Sequence, residues 1–136
     1  MIYEKELVKA AITARDNAYA PYSHYTVGAA VLADDGKVYT GCNIENASYP
    51  AGICAERTAV FKAISDGAKK IEAIALSAGR ENRRPESYPS PCGICRQVMS
   101  EFGDADMLII LAKDENDYKK YSLEELLPLG FTSKDL

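Results

Sequence analysis

The sequence predicts an α/β protein in which helices cover a mixed β-sheet. Apolar and β-branched runs occupy residues 25–44, 71–78 and 106–112, with segments of helical periodicity before and between them. A hairpin followed by strand, helix, strand, helix and strand is typical of such a sheet. The chain has 136 residues, of which 47% are hydrophobic, and this is enough for a single domain over residues 1–136.

The first elements are an amphipathic helix and a hairpin. Helical periodicity runs from Leu7 to Ala18, and Pro21 ends the helix because its ring cannot continue one. In the hairpin at residues 25–44, two apolar runs flank the turn sequence DDG at positions 34–36. The first run is apolar on both faces, which indicates a strand covered on both sides.

A second helix is predicted over residues 54–67, with Gly67 just past its end. It precedes the strand at residues 71–78 and a polar loop at 79–90. Its expected buried stripe consists of Ala55, Ala59, Val60, Ala63 and Ile64.

The C-terminal part adds a third helix at residues 91–103, with Pro91 near its first turn. A buried strand follows at 106–112 and an edge strand at 117–123. Residues 122–131 then predict a short helix broken at Pro128.

Charge and composition exclude several classes of partner. The net charge of -4 argues against a nucleic-acid surface, which needs clustered Lys and Arg. No apolar run is long enough to cross a bilayer, and the N-terminal residues lack the apolar core of a signal peptide. We therefore expect a cytoplasmic protein, where thiols stay reduced. In that compartment metal ligation, reactivity or core packing is favoured over disulfides for Cys42, Cys54, Cys92 and Cys95.

Three of these cysteines stand at predicted helix starts. Cys92 and Cys95 form a C-x-x-C pair whose positions share one face of a helix. Cys54 opens the preceding helix, and helix N-termini favour thiolates. Two helix starts can thus offer three thiolates to one ion, and zinc suits such soft ligands. Taken alone, the pair also fits redox chemistry, and Cys54 alone fits core packing.

The number of ligands indicates catalysis, because structural zinc sites have four protein ligands and catalytic sites keep one position for water. Glu56 lies two residues after Cys54, about 200° around a helix, so it should not bind the same ion. A carboxylate beside the open position is suited to moving protons. Together, C-x-E and P-C-x-x-C match the signature of zinc deaminases.

Beyond that signature, the chain resembles the small homotetrameric, zinc-dependent cytidine deaminases. Segments typical of that family follow one another along nearly the whole chain: YAPYSHYTVGAAVL, GCNIENASYP, GICAERTAVFKA, SPCGICRQVMSEF and EELLPLGF. The resemblance implies a three-layer sandwich, with a mixed five-stranded sheet covered by helices on both faces. It also implies one Zn²⁺ per subunit, held by Cys54, Cys92 and Cys95, and Glu56 as the acid and base.

The resemblance further implies a set of substrate contacts. Tyr25, where the family usually has Phe, would stack on the pyrimidine, and its extra hydroxyl would need a partner. Asn43 and Glu45 would bind the ribose hydroxyls, and the backbone N–H of Ala55 or Cys54 would hold the carbonyl of the base. Tyr49 and Phe131 would reach the active sites of neighbouring subunits.

The electrostatics of such a site suggest roles for two arginines. Three thiolates and Zn²⁺ carry a net charge of about −1, which weakens the ion as a Lewis acid. Arg57 would offset this charge by donating to a ligand sulfur, and Arg96 is a second candidate. Cys42 is expected in the core rather than at the metal.

The expected reaction is hydrolytic deamination of cytidine and deoxycytidine in pyrimidine salvage. Free nucleosides should be preferred to nucleotides, because Glu45 and the acidic surface repel phosphate. One alternative is a related aminohydrolase resembling blasticidin S deaminase, although the presence of both Asn43 and Glu45 speaks against it. The other is a non-catalytic zinc module, which would need a fourth protein ligand.

Overall fold

The computed structural model describes residues 2–136. The helices are α1 (Ile2–Ala14), α2 (Ala55–Ser65), α3 (Gly93–Phe102) and α4 (Leu123–Leu126). The strands are β1 (Tyr25–Ala33), β2 (Val38–Cys42), β3 (Ile71–Arg80), β4 (Leu108–Asp114) and β5 (Asp117–Ser122). None of the helices within these residues combines the length and apolar character needed to cross a membrane.

The strands form one mixed sheet in the order β2-β1-β3-β4-β5. β1 is antiparallel to β2 and β3, β3 is parallel to β4, and β4 is antiparallel to β5. The predicted five-stranded mixed sheet is confirmed, and so is the edge position of the last strand. The turn at residues 34–36 brings Gly36 into the left-handed region, at φ 80°, a conformation that glycine adopts without strain.

Helices cover both faces of the sheet, which confirms the three-layer sandwich. On one face, Leu7 and Val8 of α1 pack with Ala30 and Ile110. The residues of α2 and α3 belong to a second cluster on the opposite face. β3 is buried along nearly its whole length because both layers cover it.

The site residues gather at the edge of the sheet formed by the C-terminal ends of β2 and β3, not along an outer strand. Since β1 runs antiparallel to β2 and β3, the latter two strands point the same way and end at the same edge. Pairing of Tyr25 with Arg80 and of Gly28 with Cys42 puts the start of β1 at that edge. The loops that lead into α2 and α3 both leave from it. Open α/β sheets commonly bind ligands at this position.

Two helices differ from the sequence prediction in their ends. α1 stops at Ala14, and Arg15–Asn17 form a 3₁₀ turn before Ala18 becomes extended, well ahead of Pro21. Such tightening is frequent at helix C-termini. α4 is only one turn long and begins with a capping box between Ser122 and Glu125. In α2 the buried stripe includes Glu56, whereas Ile64 is only partly buried.

Glycines in the first two strands allow the helices to approach closely. A Cβ atom at Gly41 would lie 2.5 Å from the backbone nitrogen of Ala59 and 2.7 Å from the carbonyl oxygen of Ala55. On the other face, a Cβ at Gly28 would lie 2.0 Å from the carbonyl oxygen of Ala11. The side chain of any other residue would therefore push α2 or α1 away from the sheet.

We expect Gly41→Ala and Gly28→Ala each to lower the free energy of unfolding by about 1–3 kcal/mol, because overpacking displaces backbone. Urea denaturation measures the change. Gly93→Ala is the matched control, since a Cβ there meets no atom within 4 Å. If all three variants were equally stable, the close packing of the helices would be refuted.

Candidate metal and substrate site

Two helix N-termini meet at the centre of the site. Cys54 is the N-cap residue of α2 and Cys92 that of α3, both with extended backbones at ψ 153° and 166°. Neither thiol caps its helix. Cys95 lies one turn further along α3 and is fully buried. Because helix N-termini favour negative charge, both helices stabilise thiolates here.

The three thiols have the spacing of a zinc site. Their sulfur atoms all lie within 4.8 Å of one another, and the Sγ atoms of Cys54 and Cys92 are 3.8 Å apart. Tetrahedral zinc with bonds of about 2.3 Å requires sulfur atoms roughly 3.8 Å apart. Within residues 2–136, no other Cys, His, Asp or Glu joins this cluster. The partly buried Cys42 of β2 lies outside it.

The thiols are electrostatically unequal before a metal binds. The pKa of Cys54 is lowered to about 5, chiefly by a hydrogen bond from Cys95. Arg57 and Cys92 also lower this pKa, whereas burial raises it. Conversely, the bond to Cys54 and burial raise the pKa of Cys95. Cys54 is thus the thiol that ionises more readily than Cys95, and a cation held by all three cysteines would displace the remaining thiol protons.

The two arginines beside these cysteines have different contacts. Arg57 Nη2 lies 3.5 Å from Cys54 Sγ, the position that charge compensation requires, and this bond raises the pKa of Arg57. Arg96 does not contact sulfur, so the expectation of a second compensating arginine is wrong. Its guanidinium instead donates to Ser90, Pro91 and Leu126.

Glu56 is a buried carboxylic acid beside the thiols. Only 6% of its surface is exposed, although it stands in the first turn of α2. Burial raises its pKa, and the charge of Cys54 acts in the same direction. A carboxyl group with a raised pKa can both accept and donate a proton near neutral pH.

A cavity of about 560 Å³ opens over the cluster. This volume lies within the usual range for small-molecule sites, about 300–1,000 Å³. The cavity brings together most of the site residues predicted from the sequence. Its lining includes Tyr25, Asn43, Glu45, Tyr49, Cys54, Ala55, Glu56, Arg57 and Cys92.

Two predicted site residues, Tyr49 and Phe131, are mostly exposed to solvent. Tyr49 lines the mouth of the cavity with 75% of its surface exposed, and its ring lies 6.0 Å from that of Tyr22. Phe131 does not line the cavity, and 56% of its surface is exposed. Its carbonyl oxygen accepts a hydrogen bond from Gln97 Nε2 at 2.8 Å.

Asn43 and Glu45 have a structural role that the sequence did not indicate. Asn43 Oδ1 accepts from the backbone N–H of Val27 at 2.8 Å, and its Nδ2 donates to the carbonyl of Tyr25 at 2.9 Å. Glu45 accepts from the backbone N–H groups of Tyr22 and Ser23 at 3.0 and 3.1 Å. Both side chains therefore hold the segment that carries Tyr25.

Ser23 is the connecting residue that sequence reasoning missed. Its hydroxyl donates to Glu45 Oε2, and its Oγ accepts from the N–H of Tyr25 at 3.0 Å. His24, next to it, has a positive φ of 57°. A serine in a turn is a recognisable signal for such side-chain-to-backbone bonds, but its partner Glu45 could not be identified from spacing.

Comparisons with known proteins agree on one family. The family model for the cytidine and deoxycytidylate deaminase zinc-binding region matches residues 1–111. A cytidine deaminase of Halalkalibacterium halodurans is 49% identical over 130 residues, which cover 96% of this chain and 95% of that protein. The crystal structure of a cytidine deaminase from Burkholderia pseudomallei has a TM-score of 0.83 at 44% identity, covering 93% of this chain and 97% of that one.

A blasticidin-S deaminase of Bacillus cereus is also similar, with 31% identity over 130 residues. The alignment covers 93% of this chain and 91% of that protein. The chain is thus considerably more similar to the cytidine deaminase of Halalkalibacterium halodurans.

We expect the anchoring by Glu45 to weaken in acid. The Ser23 hydroxyl, assisted by backbone N–H groups, lowers the pKa of Glu45 below its ordinary 4.5. A carboxyl group whose pKa is lower in the folded state stabilises the fold at pH values above its unfolded-state pKa. This stabilisation is lost as the pH falls through the folded-state pKa. Glu45→Gln should therefore be less stable than the wild type at about pH 6, and the difference should shrink towards about pH 3.

Urea denaturation across this pH range measures that difference. Glu86→Gln, at an exposed position of the loop after β3, controls for the loss of one negative charge. A difference between wild type and Glu45→Gln that stayed constant with pH would contradict the anchoring role.

Proposed function

Because this chain belongs to the cytidine deaminases that carry the cytidine and deoxycytidylate deaminase zinc-binding region, we propose that it hydrolyses cytidine and deoxycytidine to uridine and deoxyuridine with release of ammonia. The observation that carries the proposal is a three-thiol cluster beside the buried carboxyl of Glu56, at the bottom of a cavity sized for a nucleoside.

The donor set fits zinc. Cys54, Cys92 and Cys95 would hold the ion, since three soft sulfur atoms within 4.8 Å of one another would leave one coordination position of tetrahedral zinc open. Zinc, when bound, supplies Lewis acidity that lowers the pKa of water. Arg57 would reduce the excess negative charge of three thiolates through its contact with Cys54.

Glu56 is the group proposed to move protons. Water adds to C4 of the pyrimidine while Glu56 takes a proton from that water and delivers it to N3. Glu56 then takes the remaining water proton from the new C4 hydroxyl group and passes it to the exocyclic amine, and the C4–N bond breaks as the C4 carbonyl forms and ammonia leaves. Its raised pKa suits both directions of transfer, because the group must be deprotonated at first and protonated afterwards.

The substrate would be oriented by groups that line the cavity. Ala55 is the first residue of α2, where backbone N–H groups lack partners within the helix, so its N–H suits the base carbonyl. Tyr25 offers a ring face for stacking. Asn43 Nδ2 retains a second N–H, and Glu45 Oε2 retains a lone pair, for the ribose hydroxyls. Glu45 would also disfavour a phosphate.

The assembly and setting of the enzyme are part of the proposal. The exposed rings of Tyr49 and Phe131 suit contacts between copies of this chain, and we place both at neighbouring active sites in a homotetramer. A cytoplasmic location would keep the ligand thiols reduced. A role in pyrimidine salvage and a single domain over residues 1–136 remain predictions.

The alternative with support from the comparisons is deamination of blasticidin S. A substrate panel separates the two activities, because turnover of the antibiotic without turnover of cytidine would refute the proposal. A non-catalytic zinc module is disfavoured, since the cluster within residues 2–136 offers three ligands and not four.

We expect Glu56→Gln to lower kcat for cytidine by about 10²- to 10⁴-fold, the usual contribution of a general acid and base. Zinc content should stay at the wild-type level, because Glu56 is not among the clustered ligands. Absorbance measures turnover, and elemental analysis measures zinc. Glu72→Gln, on an exposed position of β3, is the matched control. Unchanged turnover in Glu56→Gln would remove Glu56 from the mechanism.

Subunit mixing tests whether Phe131 serves a neighbouring active site. Glu56→Gln and Phe131→Ala proteins should each be nearly inactive alone. Exchange of subunits should restore activity, because some sites then combine an intact Glu56 with Phe131 from a neighbour. Size-exclusion chromatography with light scattering would establish the tetramer first. If the mixture stayed inactive although exchange was complete, Phe131 would not act between subunits.

A further inference from the structure

Arg96 connects the segment before one metal ligand to the C-terminal part of the chain. Its Nε donates to the carbonyl oxygen of Pro91 at 2.8 Å, and Nη2 donates to Ser90 Oγ at 2.7 Å. Nη1 donates to the carbonyl oxygen of Leu126 at 2.6 Å. All three bonds involve a permanently charged donor, and such bonds are stronger than those between neutral groups.

Two of these bonds hold the residues directly before Cys92. The backbone N–H of Arg96 also donates to the carbonyl of Cys92 at 3.0 Å. Cys92 is the exposed ligand of the cluster, and its thiol makes no capping bond to α3. Its position therefore depends on the backbone of residues 90–92, which Arg96 holds from the side.

The third bond, from Arg96 Nη1 to the carbonyl oxygen of Leu126, attaches residues 90–92 to α4 through Arg96. Leu126 is the last residue of α4, and α4 begins with a capping box. The neighbouring side chain of Gln97 donates to the carbonyl of Phe131. Consecutive residues of α3 thus hold both ends of the 126–131 segment. Arg96 joins this segment to the loop that carries Cys92.

Arginine is the residue type that this arrangement requires. The acceptors of Pro91, Ser90 and Leu126 are met by three different nitrogen atoms of one planar guanidinium. A lysine ammonium at the end of a flexible chain has the charge but not the fixed fork. Loss of the fork would leave the carbonyls of residues 91 and 126 without this donor.

We propose that Arg96 is a positioning residue for the metal site: it holds residues 90–92 against α4 and so fixes the Cys92 thiol for the ion. It acts through Cys92, whereas Arg57 acts on sulfur directly. The inference rests on the metal site of the proposed function, since it requires Cys92 to be a ligand.

The test compares Arg96→Lys with the wild type and with Arg84→Lys, which changes an exposed arginine of the loop after β3. Zinc-loaded proteins are mixed with a chromogenic chelator, and the rate of zinc release is followed. We expect release from Arg96→Lys to be about tenfold faster or more, as is usual when a group supporting a ligand is removed. Arg84→Lys should release zinc at the wild-type rate.

Cobalt substitution gives a second readout that a general loss of stability would not produce. The visible bands of Co²⁺ bound to Arg96→Lys should shift in position or intensity, because the geometry of the Cys92 sulfur changes. The proposal would be overturned if Arg96→Lys released zinc at the wild-type rate and its Co²⁺ spectrum were unchanged. It would also be overturned if Arg96→Lys and Arg84→Lys accelerated zinc release equally.

Ser90→Ala is a second variant, which removes one contact of the Arg96 guanidinium at an exposed position. It tests the positioning role even if Arg96→Lys does not fold. Its zinc release should be accelerated, and this effect should disappear in the Arg96→Lys background if that protein folds. Wild-type release from Ser90→Ala would overturn the proposal. A wild-type protein without zinc or cytidine turnover would refute the proposed function itself, independently of these variants.

Discussion

The constraint on which the site depends is the approach of three sulfur atoms to within 4.8 Å on two different helices. It requires α2 and α3 to pack on the same face of the sheet with their N-termini at one edge. The parallel directions of β2 and β3 satisfy the second condition, because the loops after both strands leave from that edge. Gly41 allows α2 to lie directly on β2. The metal site is thus a consequence of sheet topology and close helix packing.

The chemistry of the site opposes the stability of the fold. The carboxyl group of Glu56 and the thiol of Cys95 are held away from water, which destabilises a protein unless such groups are paired. Around Glu56, α2 presents alanines to the core, so the helix lies close to the sheet while its first turn remains polar. A bound cation would relieve the repulsion among thiolates, and folding and metal binding are therefore expected to be coupled.

Much of this arrangement could be predicted from the sequence, because its signals are local. Turn residues, periodicity and the two cysteine motifs identified the sheet, the helices and the metal cluster. What could not be predicted depends on side chains that meet across loops. The guanidinium of Arg96 was expected at sulfur but binds carbonyls in two other segments, and Ser23 joins Glu45 to Tyr25. Neither relation has a fixed sequence spacing.

The double use of Asn43 and Glu45 has a consequence for redesign of the cavity. The same two side chains hold the backbone on either side of Tyr25, so the ribose contacts and the stacking ring that we propose would share their supports. Altering either residue to admit a modified sugar would therefore also loosen the backbone that carries the Tyr25 ring. The mouth of the cavity at Tyr49, which has most of its surface exposed, is the more independent place to change ligand selectivity.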